Sequence, residues 1–295
     1  MFDIGVVIPT RDKRSRLEIC LRALERAAEA ASCSVALAVV DDGGHDGTES
    51  ILPFYEERFD PCIKVLRHAV PAGRSMARNA GAKLLDAVRL LFLDDDMIID
   101  ARLLERHARL GDTEVGRGAI LHLPWLRGVM RLDELPEDMP PRLRHRINAV
   151  LADPASRTLK RFARRSRFEN DIRRLFAIRG QTGKGLWFGA TGGNLSAGKK
   201  FFNSLGGFDS RLGLEAAAED LEFGLRTELH GGRVVMISEP QAIHLDHPKV
   251  ARPDDYFTNH IMFGKIHGVK LARQMEEYFK GGRDILAVGT VPDGV

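Results

Sequence analysis

Several groups of residues in this chain have types and spacings that suit chemistry. Asp94-Asp95-Asp96 follows the apolar run LLFL. Alternate residues at a strand end point the same way, so Asp94 and Asp96 are expected to face one site. Two carboxylates there suit a divalent cation, Mg2+ or Mn2+, shared with a phosphorylated substrate. Asp41-Asp42-Gly43-Gly44 also follows an apolar run. A carboxylate in that place can accept from a base N–H or a ribose hydroxyl, although Asp and Gly equally suit a plain turn. Glu219-Asp220 stands near the start of a helical stretch, where acids favour the macrodipole. If that start faces a cleft, Asp220 is a candidate general base. His244-Leu245-Asp246-His247 offers two imidazoles, as metal ligands or proton carriers, at a spacing that matches no standard zinc motif. Gly73 opens a helical stretch in which Arg78 is suited to phosphate.

These groups need elements to hold them. Residues 4–8 (IGVVI), 35–40 (VALAVV), 63–67 (IKVLR) and 90–94 (LLFLD) read as buried strands. Helical spacing is expected over 16–31, capped by Asp12 or Ser15, and over about 47–59 and 74–86. Alternation of this kind predicts a parallel sheet covered on both faces by helices. Ligands of such sheets bind beyond the carboxyl ends of the strands. Thr10-Arg11-Asp12, Asp41-Asp42 and Asp94-Asp95-Asp96 each follow a strand directly, so one sheet edge is the expected cleft.

The middle of the chain differs. Residues 142–184 hold 13 Lys/Arg against 3 Asp/Glu, with Leu159, Phe162 and Phe168 interleaved. One or two basic amphipathic helices are expected there. They form either a solvated face or a surface for an anionic acceptor or anionic lipid headgroups. Residues 186–208 are Gly-rich, 216–229 read as helix, 234–237 as strand and 252–280 as one or two helices.

The whole chain has 295 residues, 44% apolar and 29% charged, which is a globular balance and excludes a disordered or collagen-like chain. Its net charge of +3 is too small to imply a nucleic-acid partner. Three cysteines without a CxxC exclude a disulfide scaffold or a cysteine zinc site and fit a reducing cytosol. No run approaches the ~18 apolar residues of a spanning helix, and the N-terminal stretch lacks a basic region before its apolar run. A cytoplasmic protein is expected, peripheral to the inner face of a membrane if the basic segment touches one.

Taken in order, VVIPTRDK, VVDDGGHDGT, GRSMARNAGA, LFLDDD, TGGNLSAGKKFFNSLGGFD and AEDLEFGLRTELHG are more specific than any member alone. Together they resemble the family 2 glycosyltransferases over roughly 4–124 and 186–248. The resemblance implies an α/β GT-A fold, a Rossmann-like mixed, mostly parallel sheet flanked by helices. It divides the chain into a catalytic domain over 1–250 and a helical tail over 251–295. Within the domain, 1–124 would be the nucleotide-binding half, about 140–184 a basic insert and 185–250 the acceptor half. It implies inverting transfer of a sugar from a nucleotide-diphosphate sugar to a hydroxyl acceptor, with Mn2+ or Mg2+. Pro9, Thr10 and Arg11 would line the nucleotide pocket, Asp42 would read the base as uracil, and Arg78 would lie near the nucleotide. Asp94-Asp95-Asp96 would be the DXD-type motif, with Asp94 on ribose, sugar or metal and Asp96 on the metal. His244 or His247 would complete the metal shell. Gly192 and Gly193 would let backbone approach the sugar, and Asp220 of the Glu219-Asp220 pair would be the base. The sequence departs from the family at Arg11-Asp12, where an aromatic-Asn pair is usual, and at Gly44, where Ser is usual. It also lacks the Gln-x-x-Arg-Trp pattern of processive synthases, which points to single-sugar transfer.

Three other readings compete. A nucleotidyltransferase would carry a Gly-rich loop after its first strand, and PTRDKRSR has no glycine. A non-catalytic binding module would have no need of Asp94, Asp96, Asp220 and His244. A nucleic-acid protein rests on the basic segment alone, which has no recognised binding motif.

Overall fold

The computed structural model of the chain describes residues 1–59, 62–135, 137–153, 157–212, 218–248 and 253–289. Its first part alternates as the apolar runs predict: β1 (Phe2–Thr10), α1 (Arg14–Ala30), β2 (Val35–Asp41), α2 (Leu52–Phe59), β3 (Ile63–Arg67), α3 (Arg74–Leu84) and β4 (Ala87–Leu93). β5 (Met97–Ile98), α4 (Ala101–Ala108) and β6 (Glu114–His122) follow. The basic insert holds three helices rather than one or two: α5 (Pro141–Ala152), α6 (Arg157–Lys160) and α7 (Arg167–Arg179). β7 (Asn194–Gly198), α8 (Lys199–Ser204), α9 (Glu219–Leu229), β8 (Arg233–His244), α10 (Pro253–His267) and α11 (Val269–Phe279) complete the order.

The strands form one sheet, β3-β2-β1-β4-β7-β6-β8-β5. The first four are parallel. The purely parallel expectation fails beyond them. β7 arrives from the Gly-rich segment, not from a crossover helix, and runs antiparallel between β4 and β6. β5 is antiparallel to β8, while β6 and β8 are parallel, so the sheet is mixed and mostly parallel.

Period-two alternation sends neighbouring side chains to opposite faces. Val7 and Phe92 enter one core with Trp187, Phe188 and Phe223, whereas Val6 and Leu91 enter another with Leu17 and Leu21. Phe263, Met275 and Tyr278 from the C-terminal helices join the first core. A third core seats the insert, with Ile147, Val150 and Leu159 packed near Leu126 and Leu245. Burying an aliphatic side chain contributes about 1.5–3 kcal/mol. A few such contacts hold α5 down while its outer face stays cationic.

Two local expectations are corrected. Neither Asp12 nor Ser15 caps α1, whose N-cap is Lys13 without a side-chain bond. Asp12 accepts the His45 N–H instead, and the Ser15 hydroxyl accepts from the Leu132 N–H. The expected helix from 47 is broken into a 3-10 turn over Thr48–Ser50 and then α2, because the Asp46 carboxylate captures the Thr48 N–H and hydroxyl. Among the described residues, no helix is long and apolar enough to cross a membrane.

Candidate active site

Two antiparallel registers build the site. Met97 pairs with His244 across β5 and β8, and the Leu245 N–H donates to the Asp96 carbonyl. That register lays the acidic turn against the His-Leu-Asp-His segment. Leu93 pairs with Asn194 across β4 and β7, which lays Asp94 against the glycine turn before β7.

The two ends of the acidic triplet part company. β4 stops at Leu93, so Asp94, Asp95 and Asp96 lie in a turn and strand alternation no longer governs them. Asp94 turns to Arg78 at 2.9 Å. Asp95 accepts the Thr10 hydroxyl at 2.7 Å. Asp96 faces His244 Nε2 at 3.3 Å and His247 Nε2 at 3.4 Å. Asp96, His244 and His247 form a cluster able to hold a metal. Asp94, which the sequence expected to face one site with Asp96, is not a member of that cluster.

The donors of this cluster are prepared as ligands are. Asp96 is 1% exposed, and its Oδ1 has no hydrogen-bond donor. His244 Nδ1 bonds Asp246 at 2.8 Å, and His247 Nδ1 bonds the Pro248 carbonyl at 2.9 Å. Each outer bond fixes a ring and leaves Nε2 free to coordinate. Both histidines are therefore placed, where the sequence left the choice open. Two imidazoles with one carboxylate suit Mn2+ better than Mg2+, which prefers an all-oxygen shell.

Two residues that sequence reasoning missed complete this corner. Lys13 Nζ lies 2.8 Å from Asp96 and 3.2 Å from Asp95. Burial opposes its charge, but the carboxylates outweigh that and hold its pKa above the usual lysine range. Its signal was the PTRDK motif itself. Burial would raise the Asp96 pKa, yet His244 and Lys13 hold it well below the carboxylate range. The same contest pushes His244 up to about 10, burial losing to Asp96 and Asp246. Asp246 is the second residue. It accepts from His122 at 2.9 Å, from His244 at 2.8 Å and from Arg127 at 2.7 Å. Asp246→Asn should weaken Mn2+ affinity about 10- to 100-fold, as losing an outer-shell partner does. Titration followed by Mn2+ paramagnetic resonance checks this, and unchanged affinity would deny Asp246 that role.

The opposite wall carries the second pair of acids. Glu219 is 1% exposed and accepts from Arg78 at 3.0 Å, with Arg74 at 3.5 Å. Asp220 is only half-buried and accepts the Gly192 N–H at 2.6 Å and its neighbour Leu221 N–H at 2.8 Å. Burial, then the Glu219 charge, pushes its pKa up to about 6. Asp220 is the less buried of the two, and burial with the Glu219 charge makes its carboxyl a better proton acceptor near neutrality than an ordinary carboxylate. Glu219, which the sequence paired with Asp220 as a catalytic acid, anchors the buried Arg78 here. Arg78, at 1% exposure, clamps Asp94 to Glu219 rather than projecting into the cleft.

Gly192 and Gly193 are required by the protein's own side chains. A Cβ at Gly192 would meet the Arg78 guanidinium at 2.6 Å, and one at Gly193 would meet Asp94 Oδ2 at 3.0 Å. Asp42 is also engaged internally. It accepts the Ala72 and Gly73 N–H groups, each at 2.8 Å, and lies 2.7 Å from His68. Arg11 is exposed and near Asp12 at 3.8 Å, while Pro9 and Thr10 end β1 beside Asp95.

Residues 5–168 match the family model described as glycosyl transferase family 2. The chain is similar to solved glycosyltransferase structures at identities that speak to the fold alone. One is S. aureus TarS, at 16% identity and TM-score 0.52, covering 95% of this chain and 43% of that one. Another is the mannosyltransferase PcManGT from Pyrobaculum calidifontis, solved with GDP-Man and Mn2+, at 13% identity and TM-score 0.54, covering 96% and 66%. A third is GalNAc-T7 with UDP, GalNAc and Mn2+, at 14% identity and TM-score 0.59, covering 97% and 53%. The chain thus spans between 43% and 66% of these structures' length. No curated protein matched in sequence.

Proposed function

The chain belongs to glycosyl transferase family 2, and on that premise we propose that it moves a sugar from a nucleoside-diphosphate sugar onto a hydroxyl acceptor with inversion. One observation carries the reading. The turn Gly192-Gly193 touches Asp220 through the Gly192 N–H and Asp94 through the Gly193 carbonyl. An open base and a donor-side carboxylate thus flank one glycine turn, with the Asp96-His244-His247 triad beyond Asp94. Asp220 receives the acceptor proton as the hydroxyl attacks, and direct displacement from the face opposite the diphosphate inverts the carbon. Asp96, His244 and His247 would hold Mn2+. When bound, that ion supplies charge neutralisation for the departing diphosphate. Lys13 adds a fixed cation beside the same carboxylates. Asp94, held by Arg78, faces the sugar or ribose, and Pro9, Thr10 and Arg11 border the nucleotide. Among the described residues, Asp42 Oδ2 accepts only the Gly73 amide, which leaves a lone pair for a uracil N3–H and favours a UDP-sugar. Incubation with UDP-sugars, Mn2+ and simple hydroxyl acceptors, read by proton NMR of the anomeric centre, tests the reading. A product of inverted configuration is expected, and a retained one contradicts it.

The partner side of the molecule is the insert. Arg142, His145 and Arg146 occupy one face of α5, and the Arg146 guanidinium stacks over Phe162 at 4.9 Å. Arg142, His145, Arg161 and Arg165 have no ion-pair partner among the described residues. The insert's acids are engaged away from these four: Asp153 pairs with Arg26, Asp171 accepts from Tyr278 and pairs with Arg167, and Glu169 is buried on Arg117. Phe162, 39% exposed amid cations, favours an anionic bilayer over a soluble anion. Paired backbone bonds between Arg164 and His122 tie this surface to the metal corner. Reversing Arg142, Arg146 and Arg161 to Glu should cut sedimentation with phosphatidylglycerol vesicles at least about tenfold. Equal binding of parent and variant, or equal binding to phosphatidylcholine, would contradict this.

A further inference from the structure

Behind the glycine turn lies a buried ion pair that neither the motifs nor the proposed chemistry uses. Arg117 on β6 and Glu169 on α7 have side chains 3% and 2% exposed. They bond through both guanidinium nitrogens, Nη1 to Oε1 at 2.9 Å and Nη2 to Oε2. The remaining donor, Nε, reaches the Thr191 hydroxyl at 3.2 Å. Thr191 immediately precedes Gly192, whose N–H donates to Asp220 at 2.6 Å.

We propose that Glu169, Arg117 and Thr191 are positioning residues for Asp220, fixing the glycine turn so that its amide meets the Asp220 carboxylate. A buried two-point guanidinium–carboxylate pair is geometrically stiff, because the planar fork matches both oxygens. The third guanidinium donor transmits that stiffness to a turn that has no side chains of its own at Gly192 and Gly193. Glu169 sits in the first turn of α7, with its N–H held by the Ser166 hydroxyl. The base is therefore registered from the basic insert as well as from the helix that carries it, where the Leu221 N–H bonds its other oxygen. The inference rests on Asp220 being the base.

The variant Thr191→Val removes the hydroxyl at nearly constant shape and leaves the Arg117–Glu169 pair intact. Losing a well-placed N–H raises a carboxyl pKa, because that bond favours the ionised form. The charges facing Asp220 are Glu219 on its own helix and Arg78 and Arg74 from α3, and all three are unchanged in the variant. Carbon-13 NMR titration of aspartate-labelled full-length protein reads the Asp220 midpoint, assigned with Asp220→Asn. We expect an upward shift of about one pH unit in Thr191→Val, the same shift in the less bulky Thr191→Ala, and recovery in Thr191→Ser. A midpoint that does not move in Thr191→Val and Thr191→Ala overturns the proposal, as does failure of Thr191→Ser to recover it. Because the titration needs neither donor nor acceptor, its outcome is separate from whether the enzyme transfers a sugar.

Discussion

Asp96→Ala should abolish Mn2+ binding, with affinity falling at least about a hundredfold, beyond the 10- to 100-fold typical of an outer-shell loss. Asp96 is the only carboxylate of the triad, and it stands within 3.4 Å of both imidazole Nε2 atoms. Without it two imidazoles remain and the triad has no carboxylate. The Lys13 ammonium, 3.2 Å from Asp95, would then stand against an incoming cation with one counter-charge fewer. The fold should survive, because removing Asp96 leaves Lys13 paired to Asp95. Mn2+ affinity within tenfold of the parent would show that the metal lies elsewhere, with Asp94 the first place to look.

Asp220→Asn should lower turnover by about 10^2- to 10^4-fold, the usual contribution of a general base, while donor affinity stays within about twofold. Asparagine keeps one oxygen for the Gly192 amide, so that contact with the turn is preserved, while proton acceptance and the other oxygen's bond from the Leu221 N–H are lost. The parent's pH profile carries the same claim. Burial and the Glu219 charge set the Asp220 pKa near 6, and the base works ionised. Turnover should therefore rise with pH through about 6 and level above it. In Asp220→Asn that limb should vanish. Normal turnover in the variant would remove Asp220 from the mechanism.

Much of this was legible in sequence because the buried strands are continuous apolar runs. β1, β2, β3 and β4 appear close to where VVI, VALAVV, IKVLR and LLFL place them. What was not legible depends on register between distant segments. No local pattern announces that Met97 pairs with His244, yet that pairing assembles the metal triad and leaves Asp94 outside it. The idea that Asp94 and Asp96 face one way assumed strand geometry three residues past the strand's end at Leu93. The split between Glu219 and Asp220 was equally hidden, since the full burial of Glu219 follows from its pairing with Arg78 on α3, while Asp220 is only half-buried. Lys13 and Asp246 stood inside segments already singled out, and their chemistry appeared only when the fold gave them neighbours. Arg117, Thr191 and Glu169 were never read together, because three dispersed residues carry no joint signal until β6, the glycine turn and α7 are packed.

The account turns on a nucleoside diphosphate meeting a metal at Asp96, His244 and His247. Calorimetric titration of UDP, GDP, CDP and dTDP, each with and without Mn2+, addresses that most directly. The account predicts that UDP binds tightly, that the binding is lost when Mn2+ is withheld, and that Asp96→Ala loses it too. Binding of no diphosphate under either condition, or equal binding with and without Mn2+, would contradict it.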